Sequence, residues 1–149
     1  MKLEEEIKQR KFKTNYQKLA VNIMFTHGWL ITFQKKIFDK YGITGTQYNI
    51  LRILRGQHPE SVSVNTLRER MLDKMSDTSR LVERLRLKKL LIRNICQNDR
   101  RKSDINITKK GLQLLKELDT IDSEFENLFN TLSLSEVETL NNLLDKMRG

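Results

Sequence analysis

The sequence predicts a mainly α-helical fold that carries one small β-hairpin. Three observations predict it. Pro occurs once and Gly 6 times in 149 residues, a composition that favours helices when Leu, Lys, Glu and Arg abound. Apolar residues recur at steps of three and four over most of the chain. Near residues 90–107 the spacing changes to strict alternation on either side of a polar, charged stretch.

The first helix is expected over about 12–40. Leu19, Ile23, Thr26, Leu30, Phe33 and Ile37 form one face, and Phe25, Trp29, Ile31 and Phe38 give it a second apolar side. A helix with two apolar sides needs two partners, its own core and another chain. Gly42 stands where a left-handed C-cap belongs. A second helix follows over about 46–56 with Tyr48, Leu51 and Leu54 inward, and His58-Pro59-Glu60 makes a turn. Ser63 caps a short helix through Met71 that buries Leu67 and Met71. The next helix is expected from Met75 to Lys88, with Thr78, Leu81, Val82 and Leu85 inward and Arg80, Arg84 and Lys88 opposite. Strands follow at 90–97 and 105–107. Thr108 caps one long helix to about Asn130, carrying Leu112, Leu115, Leu118, Ile121, Phe125 and Leu128. A last helix begins at Ser135, whose spacing to Glu138 reads as a capping box, and buries Val137, Leu140, Leu144 and Met147. Two short helices followed by a hairpin make a helix-turn-helix with a wing. The expected organisation is a single unit over 1–149, with a winged lobe at 44–111 flanked by helices at 12–41 and 112–149.

The formal net charge is +9, and its distribution is uneven. Residues 63–102 hold 12 Lys/Arg against 5 Asp/Glu, whereas residues 112–149 hold 3 against 8. A basic segment beside an acidic one is the footprint of a polyanion-binding face next to a part with another task. The start Met1-Lys2-Leu3-Glu4-Glu5-Glu6 is unlike a signal peptide, and no stretch reaches the apolar length of a membrane span. One cysteine, Cys96, allows no internal disulfide, so a cytoplasmic protein without membrane contact is expected. No Gly-rich phosphate loop, His-Glu-x-x-His or Gly-x-Ser-x-Gly motif occurs. No catalytic residue, metal site or cofactor is therefore assigned, and an enzyme is not expected.

The second helix of a helix-turn-helix enters the major groove of double-stranded DNA. Ser76, Asp77, Ser79 and Arg80 lie in its first turns, where the helix dipole favours phosphate, and Arg84 follows one turn on. The loop Asp99-Arg100-Arg101-Lys102 sets three cations at a hairpin tip. Adjacent cations repel unless an anion neutralises them, and a narrow minor groove does so. Asp99 is placed to pair with Arg101 and orient its guanidinium.

The run Asp99-Arg100-Arg101-Lys102-Ser103-Asp104-Ile105-Asn106-Ile107-Thr108-Lys109-Lys110-Gly111 resembles the wing signature of MarR-type regulators, D-x-R followed by a strand and T-x-x-G. Ser79-Arg80-Leu81-Val82-Glu83-Arg84-Leu85 is similar to that family's recognition helix, and 43–51 to the start of its second helix. The likeness covers about 12–148. It implies a triangular homodimer in which the first, fifth and sixth helices interdigitate. It also implies a pseudo-palindromic operator read by one recognition helix per half-site, and repression of transcription. Arg101 takes the minor-groove role with Asp99 as its partner. A small anionic or phenolic effector is implied where the dimerisation helices meet the lobe. His27, Trp29 and Tyr48 are candidate lining residues, set against ordinary packing. Three positions depart from the pattern: Lys89 and Leu72 where Gly is common, and Arg68 where a small residue is usual. A left-handed Lys costs about 1 kcal/mol, so an altered turn is expected at Lys89.

Cys96 falls on a strand, away from the start of the first helix where the family's peroxide sensors carry their cysteine, and no sensing role is assigned to it. The alternative readings are a non-specific architectural DNA binder, which would be salt-sensitive without sequence discrimination, and a winged helix that binds protein.

Overall fold

The computed structural model describes residues 2–95 and 103–149. Cys96 and the wing-tip residues Asp99, Arg100, Arg101 and Lys102 lie outside them. The chain divides into two compact units, Met1–Leu112 and Gln113–Gly149.

The first unit opens with a short helix, α1 (Leu3–Glu6), which buries Leu3 and pairs Glu4 with Lys18. Helix α2 (Asn15–Phe38) starts at Thr14, whose hydroxyl accepts the Gln17 amide at 3.1 Å. It tightens into a 3-10 turn over Asp39–Tyr41 and stops at Gly42, left-handed at φ 66° as expected. Of the 24 residues of α2 only Phe38 is buried. Its second apolar side is open in the single chain.

Helix α3 (Gly45–Gln57) begins with a reciprocal capping box. Thr44 Oγ1 accepts the Gln47 amide and Gln47 Oε1 accepts the Thr44 amide. That bond explains why a polar residue, Gln47, is buried there. Ile50, Leu51, Ile53 and Leu54 form the inward stripe, and Tyr48 is half-buried instead of fully inward. The turn at His58-Pro59-Glu60 contains a cis His58–Pro59 bond.

A two-residue strand unforeseen in the sequence, β1 (Val62–Ser63), precedes α4 (Val64–Arg70). Two residues are too short to show alternation; the pairing of Val62 with Ile105 reveals it. Ser63 caps α4 by accepting the Thr66 amide at 3.1 Å, and Leu67 and Met71 are buried as expected. Helix α5 (Thr78–Leu87) starts three residues later than the spacing predicts. The delay has a local cause. Asp73 accepts the Met75 amide and the Ser76 hydroxyl, and Asp77 accepts the Arg80 amide, so residues 73–77 close a turn and a cap instead of a helical turn.

Strands β2 (Leu91–Ile95) and β3 (Ser103–Ile107) form the expected antiparallel hairpin, and β1 joins on the outer edge of β3. Leu91 faces Ile107 and Arg93 faces Ile105 across the ladder. Val62, Leu91, Ile105 and Ile107 close one side of a core formed with Leu54, Leu67, Val82 and Leu85.

The expected long helix after Thr108 is interrupted. It comprises α6 (Lys109–Glu117), a 3-10 turn (Leu118–Thr120) and α7 (Ile121–Leu128). In a 3-10 turn residues three apart eclipse, and Leu118 and Ile121 are both buried. Helix α8 (Leu134–Arg148) is capped by Ser133 with Glu136, not by Ser135 with Glu138. The sequence holds the same S-x-x-E spacing twice, two residues apart. Only the extended backbone at Ser133 (φ −67°, ψ 159°) allows the cap, while Ser135 lies inside the first turn. The inward face expected for α8 is not buried in the single chain. Val137 and Leu144 are half-buried, and Leu140 and Met147 are exposed. Among the described residues no helix is long and apolar enough to cross a membrane.

Candidate nucleic-acid interface

The loop between α4 and α5 is tied down at several points. The Leu72 amide donates to Asn49 Oδ1 of α3 at 2.8 Å. Asp73 receives the Ser76 hydroxyl at 2.8 Å and the Met75 amide at 2.9 Å. These bonds hold the Asp73 carboxyl below its ordinary 3.8, the Ser76 hydroxyl contributing most and the positive field of His27 least. The Lys74 amine donates to the Glu69 carbonyl. Neither Asn49 nor Asp73 was identified from the sequence. The signal for Asp73 was present, since Asp-x-x-Ser before a helix is an Asx-type turn. Asn49 had none, because its partner is 23 residues away.

The expected recognition residues sit as follows. Ser76 is partly buried and precedes α5, with its hydroxyl engaged by Asp73. Asp77 is the N-cap, its carboxylate engaged by the Arg80 amide. Ser79, Arg80 and Arg84 lie on the solvent face of α5. No carboxylate among the described residues pairs with Arg80 or Arg84. By contrast Arg86 makes a two-pronged bond to Glu83 at 2.7 and 2.9 Å, which lowers the Glu83 pKa. Lys88 does not continue the cationic face as expected. It follows the helix, and its amine donates to the Gly42 carbonyl. The cations left to meet a polyanion on α5 are thus Arg80 and Arg84.

The base of the hairpin is clamped to the end of α5. Lys89 adopts φ 60°, so the left-handed turn persists with a Lys where an altered turn was expected. The Lys89 carbonyl accepts the Thr108 hydroxyl at 2.8 Å, and the Leu90 carbonyl accepts the Thr108 amide at 3.1 Å. Thr108 Oγ1 also caps α6 by accepting the Gly111 amide at 3.1 Å. A Cβ on Gly111 would lie under 3.0 Å from the Leu90 carbonyl oxygen and 2.7 Å from Ile107 Cγ1. Glycine is required there by close approach, which gives the Thr-x-x-Gly spacing a physical basis. Arg68 is exposed and donates to Asn65 at 3.2 Å within α4; a larger residue fits because it points outward.

The three candidate effector residues have different settings. His27 and Trp29 are on the exposed part of α2. Tyr48 packs on Phe38 with ring centroids 4.6 Å apart, and the Arg52 guanidinium stands 5.9 Å from its ring centre. Among the described residues no group of three or more His, Cys, Asp or Glu is placed to hold a metal ion.

Helix α4, the tied loop, α5 and the clamped hairpin define a winged helix-turn-helix protein. The model of the MarR family matches residues 41–102, and the chain belongs to the MarR family. It is 30% identical over 115 residues to the HTH-type transcriptional regulator MgrA of Staphylococcus aureus, covering 77% of this chain and 76% of the relative. It is 27% identical over 113 residues to the HTH-type transcriptional regulator MhqR of Bacillus subtilis, covering 75% and 77%. Among solved structures it superimposes on S. aureus MepR in complex with DNA with a TM-score of 0.75 and 25% identity, over 92% of this chain and 97% of that one.

Proposed function

We propose that this protein is a sequence-specific DNA-binding transcriptional repressor that acts as a homodimer on a pseudo-palindromic operator. The observation that carries the reading is the solvent face of α5, where Ser79, Arg80 and Arg84 project from a helix whose entry loop and exit turn are both locked. Preorganised donors of this kind suit base edges and phosphates. Ser76 and Asp77 set the start of the helix and stand at its edge. In this reading Asp99, Arg100, Arg101 and Lys102, assigned from the sequence, contact DNA as well, with Arg101 taking the minor-groove role. The relatives are transcriptional regulators, and MepR has been solved with DNA bound.

The homodimer rests on apolar surface in both units. Leu19, Met24, Phe25, Trp29 and Ile31 of α2 are exposed, and so are Leu140, Leu143 and Met147 of α8. A lone soluble chain rarely leaves so much apolar surface in water, and a second copy covers it. The segments 12–41 and 112–149 are the dimerisation helices of this reading, and 44–111 is the DNA-binding lobe. A small phenolic or anionic effector lined by His27, Trp29 and Tyr48 would release the operator through unequal affinity for two lobe spacings.

Selection of binding sites from a random duplex pool tests the reading, run in parallel with Arg101→Ala. The expected result is an inverted repeat with half-sites about one helical turn apart, bound about 1–3 kcal/mol more weakly by the variant. Salt-sensitive binding with no enriched sequence favours the architectural binder, and no DNA binding favours the protein-interaction module.

A further inference from the structure

The entry to α5 is apolar, while Arg80 and Arg84 are exposed along the helix and Leu87 is exposed at its end. Leu72 and Met75 are 86% and 93% exposed, although they stand in a loop whose polar groups are satisfied locally. The Leu72 amide is held by Asn49, the Met75 amide and Ser76 hydroxyl by Asp73, and Asp77 caps the helix. Nothing in the turn requires a large apolar side chain at either position, because neither side chain packs on the lobe. Two such side chains within four residues, both exposed on a tied backbone, stand shortly before Ser79 and Arg80 in the chain.

Resting on the DNA-binding reading above, we propose that Leu72 and Met75 read thymine methyl groups in the major groove and give the protein a preference for thymine at the positions that the α5 entry loop meets. The thymine methyl is the apolar feature of the major-groove edge, and apolar side chains recognise it by contact. The surroundings favour a nucleic acid over an apolar protein partner. Arg70, Lys74, Arg80 and Arg84 are exposed around the loop; of the nearby acids Glu69 is exposed, whereas Asp73 and Asp77 accept backbone amides. Met75 has an unbranched, polarizable side chain that adapts to the position of a methyl group. Leu72 occupies the turn itself, and the bond of its amide to Asn49 fixes the backbone that carries its exposed side chain.

The test uses the duplex recovered by site selection and a second duplex in which deoxyuridine replaces every thymine of the half-sites. Uracil keeps the pairing and hydrogen-bonding groups and lacks only the methyl. The wild-type dimer is expected to bind the uracil duplex about fourfold more weakly per contacted methyl, the factor that corresponds to about 0.8 kcal/mol. The double variant Leu72→Ala, Met75→Ala is expected to bind the thymine duplex more weakly and to discriminate thymine from uracil little. The ratio is taken within each protein, so any loss of folded protein cancels. Equal binding of both duplexes by wild type overturns the proposal, and so does undiminished discrimination by the double variant. If wild type selects no sequence, the regulator reading fails and this inference fails with it. If it selects a sequence but ignores the methyl groups, only this inference fails.

Discussion

Gly111→Ala isolates the clamp between the hairpin and α6. The added methyl would stand under 3.0 Å from the Leu90 carbonyl oxygen, 2.7 Å from Ile107 Cγ1 and 3.2 Å from Ile107 Cδ1. Backbone that is itself hydrogen-bonded cannot yield cheaply, and the Leu90 carbonyl already accepts the Thr108 amide. Overpacking of this kind costs about 1–3 kcal/mol, and loosening the Thr108 bond adds about 1 kcal/mol. The better helix propensity of Ala returns about 1 kcal/mol. The expected net loss is about 2 kcal/mol, or about 6 °C in Tm for a chain of this size. Urea unfolding and thermal melting at fixed protein concentration measure it. Gly56→Ala is the control, because nothing lies within 4 Å of its added Cβ and it sits in α3; a small gain of up to about 1 kcal/mol is expected. A Gly111→Ala protein as stable as wild type would refute the argument from close approach. Equal losses in both variants would show that the effect is not specific to the clamp.

Lys89→Gly is expected to stabilise the protein by about 1 kcal/mol, because the strain of a left-handed Lys at φ 60° is removed; a lower Tm would show that the Lys89 side chain contributes more than its backbone strain removes. Asp73→Ala is expected to lower Tm at neutral pH by releasing the Met75 amide and Ser76 hydroxyl. The folded-state pKa of Asp73 lies below the ordinary 3.8, so its contribution is fully present above that value and is lost as pH falls through the lower one. The gap in Tm between wild type and variant should therefore narrow in acid, and a gap that stays constant well below 3.8 would contradict the assignment.

The sequence by itself determined most of the helices, the hairpin and the start of α4. It also determined the left-handed Gly42, because periodicity, caps and glycine act over four or five residues. The MarR resemblance was legible in 99–111 and 79–85 for the same reason, since wing and recognition helix are short, contiguous runs. The sequence also placed Arg80 and Arg84 on the outer face of α5. Other features depended on residues far apart. Strand β1 exists because Val62 meets Ile105. The entry loop is fixed because Asn49 reaches Leu72, and Lys88 leaves the cationic face because its amine reaches Gly42. Two equal capping patterns near the start of α8 were separated only by the backbone at Ser133. The tertiary structure also decided that Lys89 takes the left-handed turn despite its strain. The Thr108 bonds to the Lys89 and Leu90 carbonyls hold that turn in place, and a constraint imposed by a residue 19 positions away outweighs a local preference of about 1 kcal/mol.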